Sequence, residues 1–169
     1  METLKAIFTR RSIRKYSGTS ITDEQLEVLL RAAMHAPSAK NKQPWHFIVI
    51  KDKKTLKAIS EAHPYGKMLT EAGAAIVICG DRTIEELDGY LIQNCSAATQ
   101  NMLLAAHDMG LGAVWLGLQP REDRVAVIKS LLKFPDHILP VSMIALGIPG
   151  EVREDQDRFL LERIHIDAW

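Results

Sequence analysis

Cysteine is scarce in this chain of 169 residues. There are two, Cys79 and Cys95, far apart and each embedded in an apolar pattern. With no CxxC and no even framework of half-cystines, both read as reduced core thiols, the usage of a cytoplasmic protein. The six histidines show no HExxH and no paired spacing, so the common signatures of a metal site are missing. No apolar run approaches the roughly 20 residues that a membrane helix needs. The opening METLKAIFTRR lacks the apolar h-region of a secretory signal. Net charge is also missing: Lys+Arg 21 balances Asp+Glu 21. No global field draws nucleic acid or anionic lipid, and any recognition of an anion has to be local. Internal repeats and low-complexity segments are absent too.

What is present suits one globular domain with a closed core, 47% hydrophobic and 25% charged. Leu4, Ile7 and Phe8 at helical spacing predict a short amphipathic helix ending near Arg11. Thr22 with Gln25 predicts a capping box for a second helix, stopped by Pro37. HFIVIK (46–51) and AAIVIC (74–79) read as strands, with a short helix around Leu56 and Ile59 between them. A long helix fits 84–109, closed by Gly110 and Gly112 as a left-handed cap. Strand 113–118, helix 121–133 and strand 139–147 follow. Helices thus surround one small sheet, and the long helix suits either a dimer interface or the cover of its own sheet. The ending LLERIHIDAW is apolar and aromatic, as in tails that dock on their own domain or on a partner.

Four polar stretches stand out from this frame. RRSIRKY (10–16) puts four basic side chains into seven residues. Were the helix to continue, Arg10 and Arg14 would share a face as a solvated helix end, where cations are favoured. Were it to break, two guanidinium forks and the Ser12 hydroxyl could converge on a phosphate. APSAKNKQPWHF (36–47) brackets Ser38, Asn41 and Gln43 between prolines. It suits either a capped turn or a reader of the polar edge of a flat heterocycle. GLGAVWLGL (110–118) fails the dinucleotide fingerprint, yet Gly117 would let a backbone N–H approach a planar ligand. In QDRF (156–159), Arg158 is an isolated cation after an acidic stretch. No catalytic triad or carboxylate pair is in view.

In this order and spacing, RRSIRKY, PSAKNKQPWHF, GLGAVWLG and LGIPGE…DRF…IHIDAW resemble the FMN-dependent nitroreductase family in its short form, over essentially the whole chain. The resemblance implies an α+β, three-layer α/β/α sandwich on a small mixed, mainly antiparallel sheet, built as an intertwined homodimer with FMN sites at the subunit interface. It implies a flavin-binding domain over 1–158 and a carboxyl extension, 159–169, that packs on the partner subunit.

By the same resemblance, Arg10 and Ser12 match phosphate and ribityl contacts, Arg14 a cation beside flavin N1 and O2, and Arg158 a second phosphate cation. Pro37, Ser38 and Ala39 match a loop supplied by the other subunit. Asn41 and Gln43 match polar positions nearby, and Lys67 a pyrimidine-edge lysine. The Leu116–Gly117–Leu118 backbone matches the donor to flavin N5. One departure is Gln156, where the family commonly has a further cation; Arg10, Arg11 and Arg158 then balance the phosphate. The implied activity is reduction of nitroaromatics, quinones or related acceptors by NADH or NADPH in a ping-pong cycle on tightly bound FMN. Other outcomes are a protein that only holds FMN, another reaction of the superfamily, or, on the basic run alone, a nucleic-acid-binding module. The family reading expects neither nucleic acid nor membrane as partner.

Overall fold

Two apolar runs decide the architecture. Ala74–Asp81 (β2) and Ile138–Gly147 (β4) are buried at every position, which demands cover on both faces. The computed structural model, which describes all residues from Met1 to Trp169, pairs them at the centre of a four-stranded sheet. Trp45–Ile50 (β1) lies outside β2 and Gly112–Gly117 (β3) outside β4. All three pairings are antiparallel, so within one chain the expected sheet lies at the antiparallel end of its range. The β2–β4 register slips between Ile78 and Cys79, opposite Pro140, a residue with no N–H to give to a ladder.

Side chains alternate across the pleat and fill two cores. On one face, Ile76 and Ile144 pack against Leu26 and Leu29 of α2 (Asp23–Met34) and Leu91 and Met102 of α4 (Asp88–Asp108). On the other, Val77 and Met143 meet Leu56 and Ile59 of α3 (Lys53–Ala62) and Val125 and Ile128 of α5 (Glu122–Leu132). The result is the expected three-layer α/β/α sandwich. Cys95 and Cys79 sit in opposite cores, and burial pushes both thiols up, Cys95 to about 12. Both are inert core residues, as expected.

The capping box of α2 is complete. Thr22 Oγ1 accepts from Gln25 N at 3.2 Å, and Gln25 Oε1 accepts from Thr22 N at 3.0 Å. Other boundaries shift for local reasons. α4 begins at Asp88 rather than at 84, because the N–H groups of Ile84 and Glu85 turn back to Asp81 O and the Glu85 carboxylate accepts from Leu87 N. Gly110 is left-handed (φ +73°) as expected, but Gly112 is not: it is the first residue of β3. Its constraint is space, since a Cβ there would come within 2.8 Å of the Ile13 side chain.

α1 (Thr3–Thr9) buries only Ala6. The apolar stripe of Leu4, Ile7 and Phe8 is therefore uncovered within one chain, and so are Phe159, Leu161, Ile166 and Trp169 in the carboxyl extension. That extension makes one tight helical turn, Leu161–Arg163, and stacks His165 on Trp169 at 4.4 Å. No helix is long and apolar enough to cross a membrane.

Candidate active site

The helix-or-break alternative for RRSIRKY is resolved at Arg10, whose backbone is extended (φ −60°, ψ 127°) directly after α1. From there the chain runs along the open edge of β3. Ile13 N donates to Ala113 O at 2.9 Å, and Tyr16 bridges to Pro149. Tyr16 fixes this course: its hydroxyl donates to Ile13 O (2.7 Å) and reaches Ala145 O (3.1 Å), and its ring lies over Gly147, where a Cβ would come within 2.7 Å of it.

The three arginines of the stretch then divide by task. Arg11 is spent internally. Its guanidinium donates to Phe8 O (2.7 Å), Arg10 O (2.9 Å), Glu154 O (3.1 Å) and, more loosely, Gln156 O (3.4 Å), with Asp155 at 3.4 Å. It caps the end of α1 and straps residues 154–156 beside it. The cation-at-a-helix-end reading therefore holds for Arg11 and not for its neighbours.

Arg10, Arg14 and Arg158 enter none of the chain's ion pairs. All three line one pocket of about 600 Å³ together with the Ser12 hydroxyl. Burial, then the like charges of Arg158 and Arg11, push the Arg10 guanidinium below its ordinary value. The nearby carboxylate of Glu151 is already taken: it accepts from Arg14 N at 2.7 Å and pairs with Arg153 at 2.9 Å. Glu154 also lines the pocket, yet no carboxylate is paired with Arg10, Arg14 or Arg158, so three unpaired cations converge there. Gln156 also lines this pocket, at the place of the missing family cation.

Arg14 also lines a second pocket, of about 250 Å³, with His63, Tyr65, Trp115, Leu116 and Gly117. The ladder decides which backbone groups face it. Ala113 turns its carbonyl outward to Ile13, so by alternation Trp115 and Gly117 also point away from β4, while Leu116 points toward it. Leu118 N likewise donates inward, to Val141 O at 3.3 Å. Of the three residues expected to offer a donor, Gly117 alone offers its N–H to the open edge. A Cβ on Gly117 would meet only Gln119 O, at 3.9 Å. Nothing inside the protein demands glycine there, and the missing side chain leaves this edge open to close approach.

The Pro37–Gln43 loop lies elsewhere, ahead of β1 on the opposite edge of the sheet. Three strand spacings, about 14 Å, separate the two edges. The loop is stiff: Lys40, Asn41 and Gln43 all have φ between 50° and 54°. Ser38 Oγ accepts from Gln43 N at 2.9 Å, and Gln43 Nε2 donates to Asn41 Oδ1 at 3.0 Å. Two buried polar residues of the α4 region hold it: Asn94 Oδ1 accepts from Ala39 N at 3.0 Å, and Glu85 pairs with Lys42 at 2.9 Å. Sequence reasoning missed both, although the Asn94 amide among the apolar positions of α4 was a signal for one of them. Pro37, Ser38, Ala39, Asn41 and Gln43 line neither pocket, and the exposed Lys67 lines neither.

A family model described as "Nitroreductase family" matches residues 7–64 and 60–148. The chain belongs to the nitroreductase family. A Methanothermobacter thermautotrophicus protein named "Putative NADH dehydrogenase/NAD(P)H nitroreductase" is 48% identical over 169 residues, covering 100% of this chain and 88% of its own length. Among solved structures, an FMN-dependent nitroreductase of Clostridium difficile is 30% identical with a TM-score of 0.90, covering 99% of this chain and 100% of that one. A Desulfovibrio desulfuricans structure described as "a putative nitroreductase in complex with FMN" is 33% identical with a TM-score of 0.86, covering 100% and 99%. Within this nitroreductase fold, the two pockets that share Arg14 are therefore the place to test for a flavin.

Proposed function

We propose that this nitroreductase is an FMN-dependent oxidoreductase that takes electrons from NADH or NADPH and delivers them to nitroaromatic, quinone or related acceptors. The observation that carries this is the set Arg10, Arg14 and Arg158, which enter none of the chain's ion pairs, around the Ser12 hydroxyl, with Arg14 shared by the pocket that Gly117 lines. The residues present fit flavin mononucleotide. Its phosphate, close to a dianion, suits Arg10, Arg158 and Ser12 through charge-assisted bonds. Arg14 lies between the two pockets, where a cation faces the pyrimidine side of the ring. Gly117 presents a donor with no side chain to hold the ring off.

When bound, FMN supplies two-electron hydride chemistry that no side chain of the protein can perform. The chain's own residues bind and orient. Arg10, Ser12 and Arg158 fix the anionic end. The Arg14 charge is set in place beforehand, where negative charge develops on reduction. Gly117 N–H fixes the ring edge, and Leu116 and Trp115 close the apolar wall beside it. Arg11 keeps Arg10 and Arg158 together by strapping 154–156 to α1. No nucleophile is needed, in keeping with the absence of a triad.

The site is completed, in this reading, by a second copy of the chain. The Pro37–Gln43 loop is pre-stiffened and yet remote from the arginines of its own chain. Both α1 and the 159–169 extension leave apolar side chains uncovered. A homodimer that brings the partner's loop to the flavin and seats the extension on the partner meets both conditions.

The experiment is spectroscopic. The purified protein is expected to carry or take up FMN, to be dimeric, and to lose its flavin absorbance on mixing with NADH or NADPH in stopped flow. Recovery of the absorbance on adding a quinone or nitroarene completes the cycle. A yellow protein that neither nicotinamide bleaches would mark a flavin holder instead. A colourless monomer indifferent to FMN would overturn the proposal.

A further inference from the structure

The outward carbonyl of Gly117 is not left to solvent. Arg124, in the first turn of α5, donates to it from Nη1 at 3.0 Å, and His63, at the end of α3, approaches it with Nε2 at 3.5 Å. The two donors come from different helices and meet on a single oxygen. The His63 tautomer is set from its other side: Tyr65 N donates to Nδ1 at 3.2 Å, which leaves the ring proton on Nε2, toward Gly117. Arg124 also lies over the Tyr65 ring at 5.2 Å. Its neighbour Asp123 is engaged by Arg121 at 3.0 Å, so no carboxylate neutralises Arg124. Its Nε is enclosed with no hydrogen-bond partner. A half-buried, unpaired guanidinium has desolvation to offset, and a solvent-capped edge carbonyl would not need one.

We infer that His63 and Arg124 are positioning residues for the flavin reaction, clamping the Gly117 carbonyl while the Arg124 charge behind it favours the reduced cofactor over the oxidised one. The clamp holds the 117–118 peptide on its outer side, and the Leu118 N–H bond to Val141 O holds it on the inner side. Gly117, which as a glycine has wide conformational freedom of its own, thereby keeps a single backbone setting. This inference rests on the FMN reading of the same site. It adds a second fixed cation, supplied by α5, to the one supplied by Arg14.

The test compares wild type with R124M, R124K and H63F, each reconstituted with FMN. Three quantities are read: affinity for oxidised flavin, midpoint potential, and hydrogen exchange of the Leu118 amide in the flavin-free protein. R124M should shift the potential to more negative values, so that reduced flavin is held about tenfold more weakly relative to oxidised flavin. R124K, which keeps the charge, should recover most of that shift. H63F should move the potential little and speed Leu118 exchange. An unchanged potential in R124M, with both flavin states weakened equally, would reduce Arg124 to a structural brace and overturn the inference. Wild type that binds no flavin at all would instead sink the functional reading on which it rests.

Discussion

The two edges of the sheet carry polar segments of opposite design. Along β3, Arg10 and Arg14 of the segment 10–16 join Arg158 in a set of three guanidinium groups that enter no ion pair, beside the Ser12 hydroxyl, and the chain spends a fourth arginine, Arg11, on holding the set in place. Ahead of β1, the Pro37–Gln43 loop spends much of its polar capacity on itself, through the Ser38–Gln43 and Asn41–Gln43 bonds, and on α4, through Ala39–Asn94. One edge is electrostatically unfinished, the other conformationally finished. An unfinished charge set calls for a ligand anion. A finished loop supplies shape and needs only to be brought to the place where shape is read.

The largest effect should come from removing the unfinished charge. R10A/R158A deletes two charge-assisted contacts to the phosphate, each worth about 1.5–3 kcal/mol, so FMN affinity should fall on the order of 10²- to 10⁴-fold by isothermal titration or fluorescence quenching. Riboflavin, which has no phosphate, should bind the variant and wild type alike. Equal losses for the two flavins would mean that the pocket collapsed rather than lost its charge, and the contrast between the edges would lose its basis.

That contrast was only partly legible in the sequence. The layers were readable because β2 and β4 are apolar at nearly every position and the helices carry a regular stripe, as with Leu26, Leu29 and Ala33. RRSIRKY announced the charge but not its division of labour. Arg11 and its neighbours are the same or similar residues, and only the extended backbone at Arg10 separates the cap from the display. Leu116, Gly117 and Leu118 were equivalent as letters. The ladder phase, set by Ile13 on Ala113, singles out Gly117. Asn94, His63 and Arg124 escaped because each acts through a tertiary contact with a backbone atom, and Glu85 because its partner Lys42 is distant in sequence, which leaves no spacing to read.

The next effect tests whether the finished loop reaches the unfinished pocket through a second copy. Deleting 159–169 removes Phe159, Leu161, Ile166 and Trp169, all exposed here, while leaving both cores intact. Dimer dissociation measured by sedimentation should shift to higher concentration, and FMN should be lost in parallel, while the monomer's secondary structure persists. A truncated protein that stays dimeric and fully yellow would refute the exchange.

The smallest effect concerns acid. On the β3 side, burial pushes His63 below its ordinary value, with the Arg124 charge adding to it, and burial, then Arg10, does the same to His107, whose Nε2 lies 2.7 Å from Thr9 Oγ1. Both are therefore neutral in the folded protein at a pH where the unfolded chain, titrating near 6.5, already binds protons. Their contribution to stability is complete above that value and drains away as pH falls from about 6.5 toward the depressed folded values. Beside the β1 loop, His35 and His46 are exposed. Hydrogen exchange followed from pH 8 to pH 5.5, corrected for intrinsic rates, should therefore show the Leu118 and Arg10 amides opening before the Ala39 and Gln43 amides. H63Q should flatten the response at Leu118 and leave that at Ala39 as it was. Simultaneous opening at both edges would place the acid sensitivity in the carboxylates that hold the loop, Glu85 foremost, rather than in the histidines behind the arginine pocket.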